Sequence, residues 1–443
     1  MLKIACSFIV FAAASQLWSQ VEPSATGGPF SLDDTRMMTP PPVSNGVYPV
    51  SVGVESHVNY VTGGIVFTGA YNDNLLVGSG TQKTPDEAYS ILPSIDFDRH
   101  TPHESVSLSY SAGATLYQHT SSLNGITQTG TAEFRYHLSP YAVVAVSDSF
   151  NQNYNTFNSS NPFSGGGVPA GGPSPSAVYV YPFANQLGNT VNGGVEYQYG
   201  RNAMIGAGGT YGFLHYDNTS SLSYLNDSNT GGGSAFWSRR ISRGQYLGVL
   251  YEYSNIQTNP VKTTTDTHTI YGFYTKYLTR TVSLSVLGGP QHYSSTEQAA
   301  GASSSSWEPA VQGSVGVQTS RTNFSAGYTH LVTGAGGLVG AFHTDAADVS
   351  ARWQFARTWN AGVSGSYSMF KNVTPIVSSL NPGGHTLGGI ASLQHSFRER
   401  FRAEVGYGHF HQSYNASSGS TLYPDCNRVY GSIAFMFYRP LGR

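Results

Sequence analysis

Apolar and polar residues alternate along most of this chain. From Val349 to Tyr367 the sequence reads VSARWQFARTWNAGVSGSY, with an apolar residue at nearly every second position on both sides of the polar turn Ala356–Thr358. Successive side chains of a β-strand point to opposite faces, so this period of two predicts two antiparallel strands with one apolar face each. The second strand is predicted to place Trp359, Ala361, Val363 and Tyr367 on its apolar face and Asn360, Ser364, Ser366 and Ser368 on its polar face.

Such strand pairs repeat from about residue 62 to the end of the chain. Each alternating run has about ten residues, the length of a tilted strand that crosses a bilayer. Counting the runs from Ile65 to Phe437 gives about eighteen strands, within a range of about 16 to 20. The two runs of a pair are joined by a very short turn, whereas the connections between pairs are longer and rich in Gly, Ser and Asn. The predicted short turns are Arg99–Pro102, Leu138–Pro140, Gly200–Asn202, Ser242–Gly244, Leu278–Arg280, Ser320–Thr322, Ala356–Thr358 and Arg398–Arg400.

This sorting of connections is typical of an up-and-down barrel, in which short turns lie at one end and long loops at the other. A Greek-key sandwich has no reason to sort them. Composition indicates that the barrel lies in a membrane. Only 10% of the residues are charged and 13% are aromatic, whereas a soluble domain carries about 25% charged residues. In lipid, only helices and closed barrels satisfy every backbone group. We therefore predict an all-β fold, a transmembrane up-and-down antiparallel β-barrel, over residues 61–443.

The N-terminal region has a different character. Residues 1–20, MLKIACSFIVFAAASQLWSQ, combine a positive start, an apolar stretch and small residues near Ser15, which predicts a cleaved secretory signal peptide. Residues 21–60 are Pro-rich and are predicted to form a periplasmic or lumenal arm. Cys426 is then the single cysteine of the mature chain, so no intrachain disulfide is expected. The formal net charge of −2 offers no basic field for nucleic acid.

Two segments carry a family resemblance. The stretch GIVFTGAYNDNLL, which includes Tyr71–Asn74, and the tail FMFYRPLGR resemble uncharacterised bacterial outer-membrane β-barrel proteins that are often described as porin-like. The resemblance implies a barrel in the outer membrane, with lipid, lipopolysaccharide and the barrel-assembly machinery as its surroundings. Such barrels commonly end in an aromatic residue, whereas this chain continues past Phe437 and Tyr438 to Arg443.

Charged residues on the polar faces are candidates for a pore lining. Both signs occur, often two or four residues apart on one face, so the lining predicts weak ion selectivity at most. The alternative is that a wet lumen simply tolerates paired charges. The predicted lumen-facing residues are Asp96, Asp98, Glu133, Arg135, Glu196, Glu252, Lys276, Glu308, Asp348, Arg352, Arg402 and Glu404.

One long connection could narrow such a pore. The loop from about Asn158 to Asn185 contains three consecutive glycines and then Tyr179, Tyr181 and Phe183, which could fold inward; the alternative is an exterior loop. His409 and His411 share a strand face, but a third metal ligand is not visible, so no metal and no cofactor are predicted.

The predicted function is a porin-like channel for passive diffusion of small hydrophilic solutes, since barrels of this strand number leave an aqueous lumen. The alternative is a non-transporting outer-membrane surface protein, either an adhesin or a component of polysaccharide export, with a plugged lumen. An outer-membrane hydrolase is a third, weaker hypothesis, because no nucleophile motif such as G-x-S-x-G is present. No enzymatic activity is therefore predicted.

Overall fold

The computed structural model describes residues 59–75, 83–153, 185–216, 226–242, 244–279, 281–298, 301–319, 321–334, 340–374, 383–397, 400–414 and 425–441. The predicted signal peptide, and the predicted arm up to residue 58, lie outside these ranges. Within them, no helix is long and apolar enough to span a membrane. The strands are β1 (Tyr60–Asn72), β2 (Asp86–His100), β3 (Glu104–Tyr117), β4 (Gly125–Ser139), β5 (Ala142–Asn153), β6 (Gln186–Gly200), β7 (Ala203–Tyr216), β8 (Asp227–Ser242), β9 (Gln245–Asn259), β10 (Thr263–Tyr277), β11 (Val282–Glu297), β12 (Ala302–Gln318), β13 (Thr322–Gly334), β14 (Ala341–Ala356), β15 (Trp359–Asn372), β16 (Gly384–Phe397), β17 (Phe401–Tyr414) and β18 (Asp425–Pro440), with a short 3₁₀ turn at Ser121–Leu123.

The sheet closes on itself. Every strand pairs antiparallel with the strand before and after it in the chain, and β1 also pairs with β18 along its whole length, from Tyr60 opposite Pro440 to Asn72 opposite Arg428. Each described strand is thus paired on both sides, which satisfies the backbone groups of the ladder within the protein except along residues 302–310 of β12, which pair with β11 alone. The prediction of an antiparallel up-and-down barrel with about eighteen strands is confirmed.

The connections follow the predicted sorting at one end of the barrel. The eight predicted short turns fall where β2, β4, β6, β8, β10, β12, β14 and β16 end, and we call this the turn end. At the opposite, loop end the prediction of uniformly long connections is wrong for β9 and β10, which only Pro260, Val261 and Lys262 join. Side chains hold this tight turn: Thr258 Oγ1 donates to the Val261 carbonyl at 2.7 Å, and Val261 N donates to Asn226 Oδ1 at 3.2 Å.

The two faces of the sheet differ as the alternation predicts. On β15, Val363 is 56% exposed on the outer face, whereas Asn360 and Ser368 are buried on the inner face. The same apolar outer surface continues around the barrel, with Val405 58% and Ile433 61% exposed. Large apolar side chains in contact with water would be unfavourable, so this outer face is suited to hydrocarbon.

Aromatic residues and histidines border the outer face. At the turn end, the rings of Trp353, Phe355 and Trp359 contact one another, with centroids 5.6 and 6.4 Å apart, as an interfacial girdle should. At the loop end, histidines meet carboxylates: His215 Nδ1 lies 2.7 Å from Asp227. The same contact joins His330 to Asp345 and His411 to Asp425, each at 2.8 Å.

Candidate functional site: the lumen and its loop-end mouth

The strand pairing decides which predicted residues face the lumen. Lys276 does not: it pairs with Gln245 and Leu284, on the outer face with Leu247 and Val286. The prediction for Lys276 is therefore corrected. Its strand carries apolar residues on both faces around Tyr271 and Phe273, so alternation alone gave no clear assignment. The other eleven candidates lie on the inner face: Asp96, Asp98, Glu133, Arg135, Glu196, Glu252, Glu308, Asp348, Arg352, Arg402 and Glu404.

One quarter of the lumen wall, on β14 to β18, carries a charged and phenolic cluster. The Arg352 side chain lies along the wall, with Nε 3.7 Å from the position a Cβ on Gly362 would take. Tyr430 covers Gly406, where a Cβ would stand 2.4 Å from its ring, and its hydroxyl donates to Glu404 Oε1 at 2.8 Å. Glycines thus give long side chains room to lie flat on the inner wall.

The wall of β7 to β12 carries an apolar cluster among inner-face polar residues such as Glu252 and Thr275, and the sequence reasoning missed this cluster. Phe236 lies over Gly206 and Phe273 over Gly248, where an added Cβ would stand 2.2 and 2.3 Å from the rings. The YGFY run at Tyr271 contained the signal, since its apolar residues fill both strand faces. The buried residues of this inner cluster are Met204, Phe236, Tyr246, Leu250, Tyr271, Phe273, Leu287 and Ala310.

The loop end of the lumen is narrowed by the adjoining ends of β13 and β14, residues 331–334 and 340–342, which we call the β13–β14 tip. Pairing between β12 and β13 stops at Val311 opposite His330, and the end of β13 turns inward. Gln291, on the inner face of β11, accepts from Val332 N at 2.7 Å and donates to the Val332 carbonyl at 3.1 Å. Ile256 of β9 comes within 3.2 Å of the Cβ position of Gly334. The tip therefore crosses the inner faces of β10 to β12.

The first residues after β15 join this inward tip. Thr374 Oγ1 lies 2.8 Å from Ser295 Oγ and accepts from Ala341 N at 2.9 Å. Ser304 Oγ donates to the Val373 carbonyl at 2.9 Å. The wall hydroxyls of Ser295 and Ser304 thus hydrogen-bond the mouth segments, and the contacts of Thr374 are buried.

The predicted constriction by the loop from Asn158 to Asn185, with Tyr179, Tyr181 and Phe183, stays a prediction, because residues 154–184 lie outside the described ranges. The narrowing that the structure describes comes from a different connection.

His409 and His411 lie at the outer rim of the loop end, where they contact polar side chains of β18. His411 Nδ1 lies 2.8 Å from Asp425 Oδ1, and His409 Nδ1 lies 3.0 Å from Asn427 Oδ1. Within the described ranges, no group of three or more His, Cys, Asp or Glu side chains is arranged to hold a metal ion. The two histidines therefore act as hydrogen-bonding residues of the membrane interface.

One Ser–His–Asp grouping faces the lumen near the turn end. His100 Nε2 lies 3.4 Å from Ser105 Oγ and 3.3 Å from Asp98 Oδ1. A catalytic relay needs the serine hydroxyl and the orienting carboxylate on different nitrogens of the histidine ring. Since both contacts use Nε2, this geometry does not form a serine triad.

Comparison with known proteins gave structural matches alone. No family model matches the chain, and no curated protein matches it. Among solved structures, it is similar to the FrpB iron transporter of Neisseria meningitidis, with 10% identity and a TM-score of 0.43 over 86% of this chain and 83% of that one. Pseudomonas aeruginosa OpdQ shares 10% identity, with a TM-score of 0.40 over 86% and 97% of the two chains. OccK2 (OpdF) of P. aeruginosa, in complex with glucuronate, shares 8% identity, with a TM-score of 0.43 over 85% and 98%. The barrel architecture rests on the strand pairing of this chain itself, and not on these similarities.

Proposed function

We propose that this protein is a porin-like channel of the bacterial outer membrane through which small hydrophilic solutes diffuse passively. The observation that carries the proposal is the pairing of an apolar outer face with an inner face that bears eleven of the predicted charged residues. Closed barrels of sixteen to eighteen strands leave an aqueous lumen. Outer-membrane lipid, lipopolysaccharide and the barrel-assembly machinery follow as its partners from that location.

The mouth limits the size of the solute. The β13–β14 tip and residues 373–374 occupy the loop end on the side of β9 to β12, and the apolar cluster thickens the same wall below them. The open passage is therefore expected on the side of Arg352, Arg402 and Glu404, so that solutes pass along a hydrogen-bonding and charged wall.

A second candidate is a surface protein whose lumen is closed. The buried hydroxyl contacts that hold the mouth segments favour it, because Ser295 and Thr374 bind each other away from water. In that case the loops, rather than the lumen, would interact with a partner such as a carbohydrate.

Single-channel recording in planar bilayers separates the two candidates. The folded barrel, identified by its altered gel mobility before heating, is expected to give steady ohmic steps. A variant that replaces the tip between Leu331 and Phe342 with a two-residue turn is expected to give larger steps. A folded wild-type protein that is silent refutes the open channel, and conductance restored in the shortened variant would then support the closed-lumen candidate.

A further inference from the structure

A patch of hydrogen-bonded polar side chains interrupts the apolar outer face on β3 to β6. Tyr110 Oη donates to Gln128 Oε1 at 2.9 Å, and Gln128 Nε2 donates to Gln152 Oε1 at 3.4 Å. Asn189 Nδ2 donates to Asp148 Oδ1 at 2.6 Å. We call these five residues the belt patch.

The belt patch extends from the loop end, where Gln152 is the next-to-last residue of β5, down to Asp148 at the depth of the hydrocarbon. Asp148 pairs with Ala132, the central residue of β4, and with Val191, which is 39% exposed on the outer face. The other charged outer-face side chains in the described ranges, such as Glu87, Lys276 and Asp425, stand near strand ends.

Lipid chains offer no hydrogen bonds to this patch. An ionisable side chain within the membrane is costly and is usually paired with a protein group or with water. Asn189 satisfies part of the Asp148 carboxylate, but the four lone-pair sites of a carboxylate need more donors than one amide supplies. A protein surface that brings polar groups to the same depth would supply them.

The outer face next to the patch is unusually flat. Gly209 and Gly233 pair across β7 and β8 at mid-strand, and Gly231 lies opposite Tyr211. A Cβ at Gly209 or Gly233 would meet only a neighbouring carbonyl at 3.5 Å, an ordinary contact, so the barrel itself does not require glycine there. Small residues let membrane-embedded backbones approach closely.

We infer that this face, centred on the belt patch and flanked by the flat strip at Gly209 and Gly233, is the contact surface for a second copy of the same chain. Every copy of a chain inserts in the same direction and to the same depth, so a twofold axis along the membrane normal sets one belt patch opposite the other. Such an isologous contact pairs a surface with itself. The amides of Gln128, Gln152 and Asn189 can both donate and accept, so two patches can satisfy each other.

Cysteine cross-linking in lipid vesicles tests the contact. In a Cys426→Ser background, Gly130→Cys is expected to give a covalent dimer on mild oxidation. Gly130 lies on the outer face of β4 within the belt patch, close to the twofold axis, and its Cβ would meet only ordinary contacts, at 3.6 and 3.9 Å. Gly365→Cys is the matched control: it lies on the outer face of β15, across the barrel, and its Cβ would likewise meet only ordinary contacts, at 3.6 and 3.7 Å. The control is expected to stay monomeric.

The mass of the detergent complex, measured by light scattering, gives a second readout. The wild-type chain is expected at twice the monomer mass, and Asp148→Leu with Gln128→Leu is expected to lose the dimer. Leucine on a lipid-facing position favours insertion, so the variant should still fold, which its gel mobility checks. A monomeric wild type, equal cross-linking at Gly365→Cys, or a dimer that survives the double leucine variant would each overturn the inference.

Discussion

At the scale of single residues, glycine shapes this barrel by making room. Aromatic rings lie flat over glycines of the neighbouring strand, as Phe236 does over Gly206 and Tyr430 over Gly406. A strand that presents a hydrogen instead of a side chain lets its neighbour's ring rest on the backbone. The cost of adding a methyl group therefore depends on what already occupies that space.

Gly289 and Gly288 provide a matched pair. Pairing between β10 and β11 is interrupted at Gly289 and Pro290, and a Cβ on Gly289 would stand 1.8 Å from the Ile270 carbonyl oxygen. A Cβ on Gly288 would meet its nearest atom at 4.0 Å. Gly289→Ala is expected to lower the free energy of unfolding by about 1–3 kcal/mol or more, and Gly288→Ala to change it by less than about 0.5 kcal/mol. Urea unfolding in lipid vesicles measures both, and equal effects would contradict the close approach.

The charges that line the lumen predict whether the channel prefers cations or anions. Lys276 lies on the outer face, so the eleven candidates on the inner face comprise eight carboxylates and three arginines. Because negative charge predominates, we expect the channel to prefer cations. The reversal potential in a potassium chloride gradient should show potassium favoured over chloride. Asp96→Asn with Asp98→Asn should weaken this preference, and Arg352→Gln with Arg402→Gln should strengthen it. A chloride preference in the wild type would contradict the prediction.

Sequence reasoning at this scale succeeded where alternation was clean. Trp359 and Val363 were assigned to the correct face because their polar neighbours, Asn360 and Ser364, leave no ambiguity. It failed at Lys276, where apolar residues fill both faces of the strand to make the inner cluster. The sequence shows which side chains of a strand face the lumen only when one face of that strand is polar and the other apolar.

At the scale of elements, the inward β13–β14 tip is the feature that local sequence could not predict. Strand count, the positions of the short turns and most of the sorting of connections follow from periodicity, with the tight β9–β10 turn as the exception. The direction in which a hairpin tip bends depends on contacts with strands far along the chain, such as Gln291 with Val332 and Ile256 with Gly334. No local pattern encodes these partners, so the sequence suggested a different constriction.

Gln291 is expected to be the main anchor of the tip. Its side chain is 3% exposed and makes two hydrogen bonds to the backbone of Val332. Gln291→Ala leaves a buried N–H and a buried carbonyl without these partners and should lower the free energy of unfolding by roughly 2–4 kcal/mol. Gln354→Ala, which removes one exposed hydrogen bond to the Arg357 carbonyl, is the control and should change it by less than about 0.5 kcal/mol.

The same variant should also alter the current through the barrel. A tip released from Gln291 should move in the mouth, so single-channel traces of Gln291→Ala are expected to be noisier or of larger conductance than those of Gln354→Ala. Indistinguishable traces would mean that the tip does not border the passage.

At the scale of the whole molecule, closure and the two-sided wall depend on each other. Pairing β1 with β18 closes the sheet, and this closure separates an apolar surface from an enclosed polar one. Along each strand, side chains therefore alternate between hydrocarbon outside the barrel and water in the lumen. Adjacent residues of one strand should therefore respond in opposite ways to the same charge.

Val363 and Ser364, neighbours in the middle of β15, test this claim directly. Val363→Arg places a guanidinium in hydrocarbon and should lower the free energy of unfolding by about 2–4 kcal/mol in lipid vesicles. Ser364→Arg places the same group in the lumen, where water solvates it, and should cost less than about 1 kcal/mol. Both values come from urea unfolding of refolded barrels, with Val363→Ala and Ser364→Ala as size controls. If Ser364→Arg proves the more costly change, the centre of the barrel is dry, and a water-filled channel could not exist in this protein.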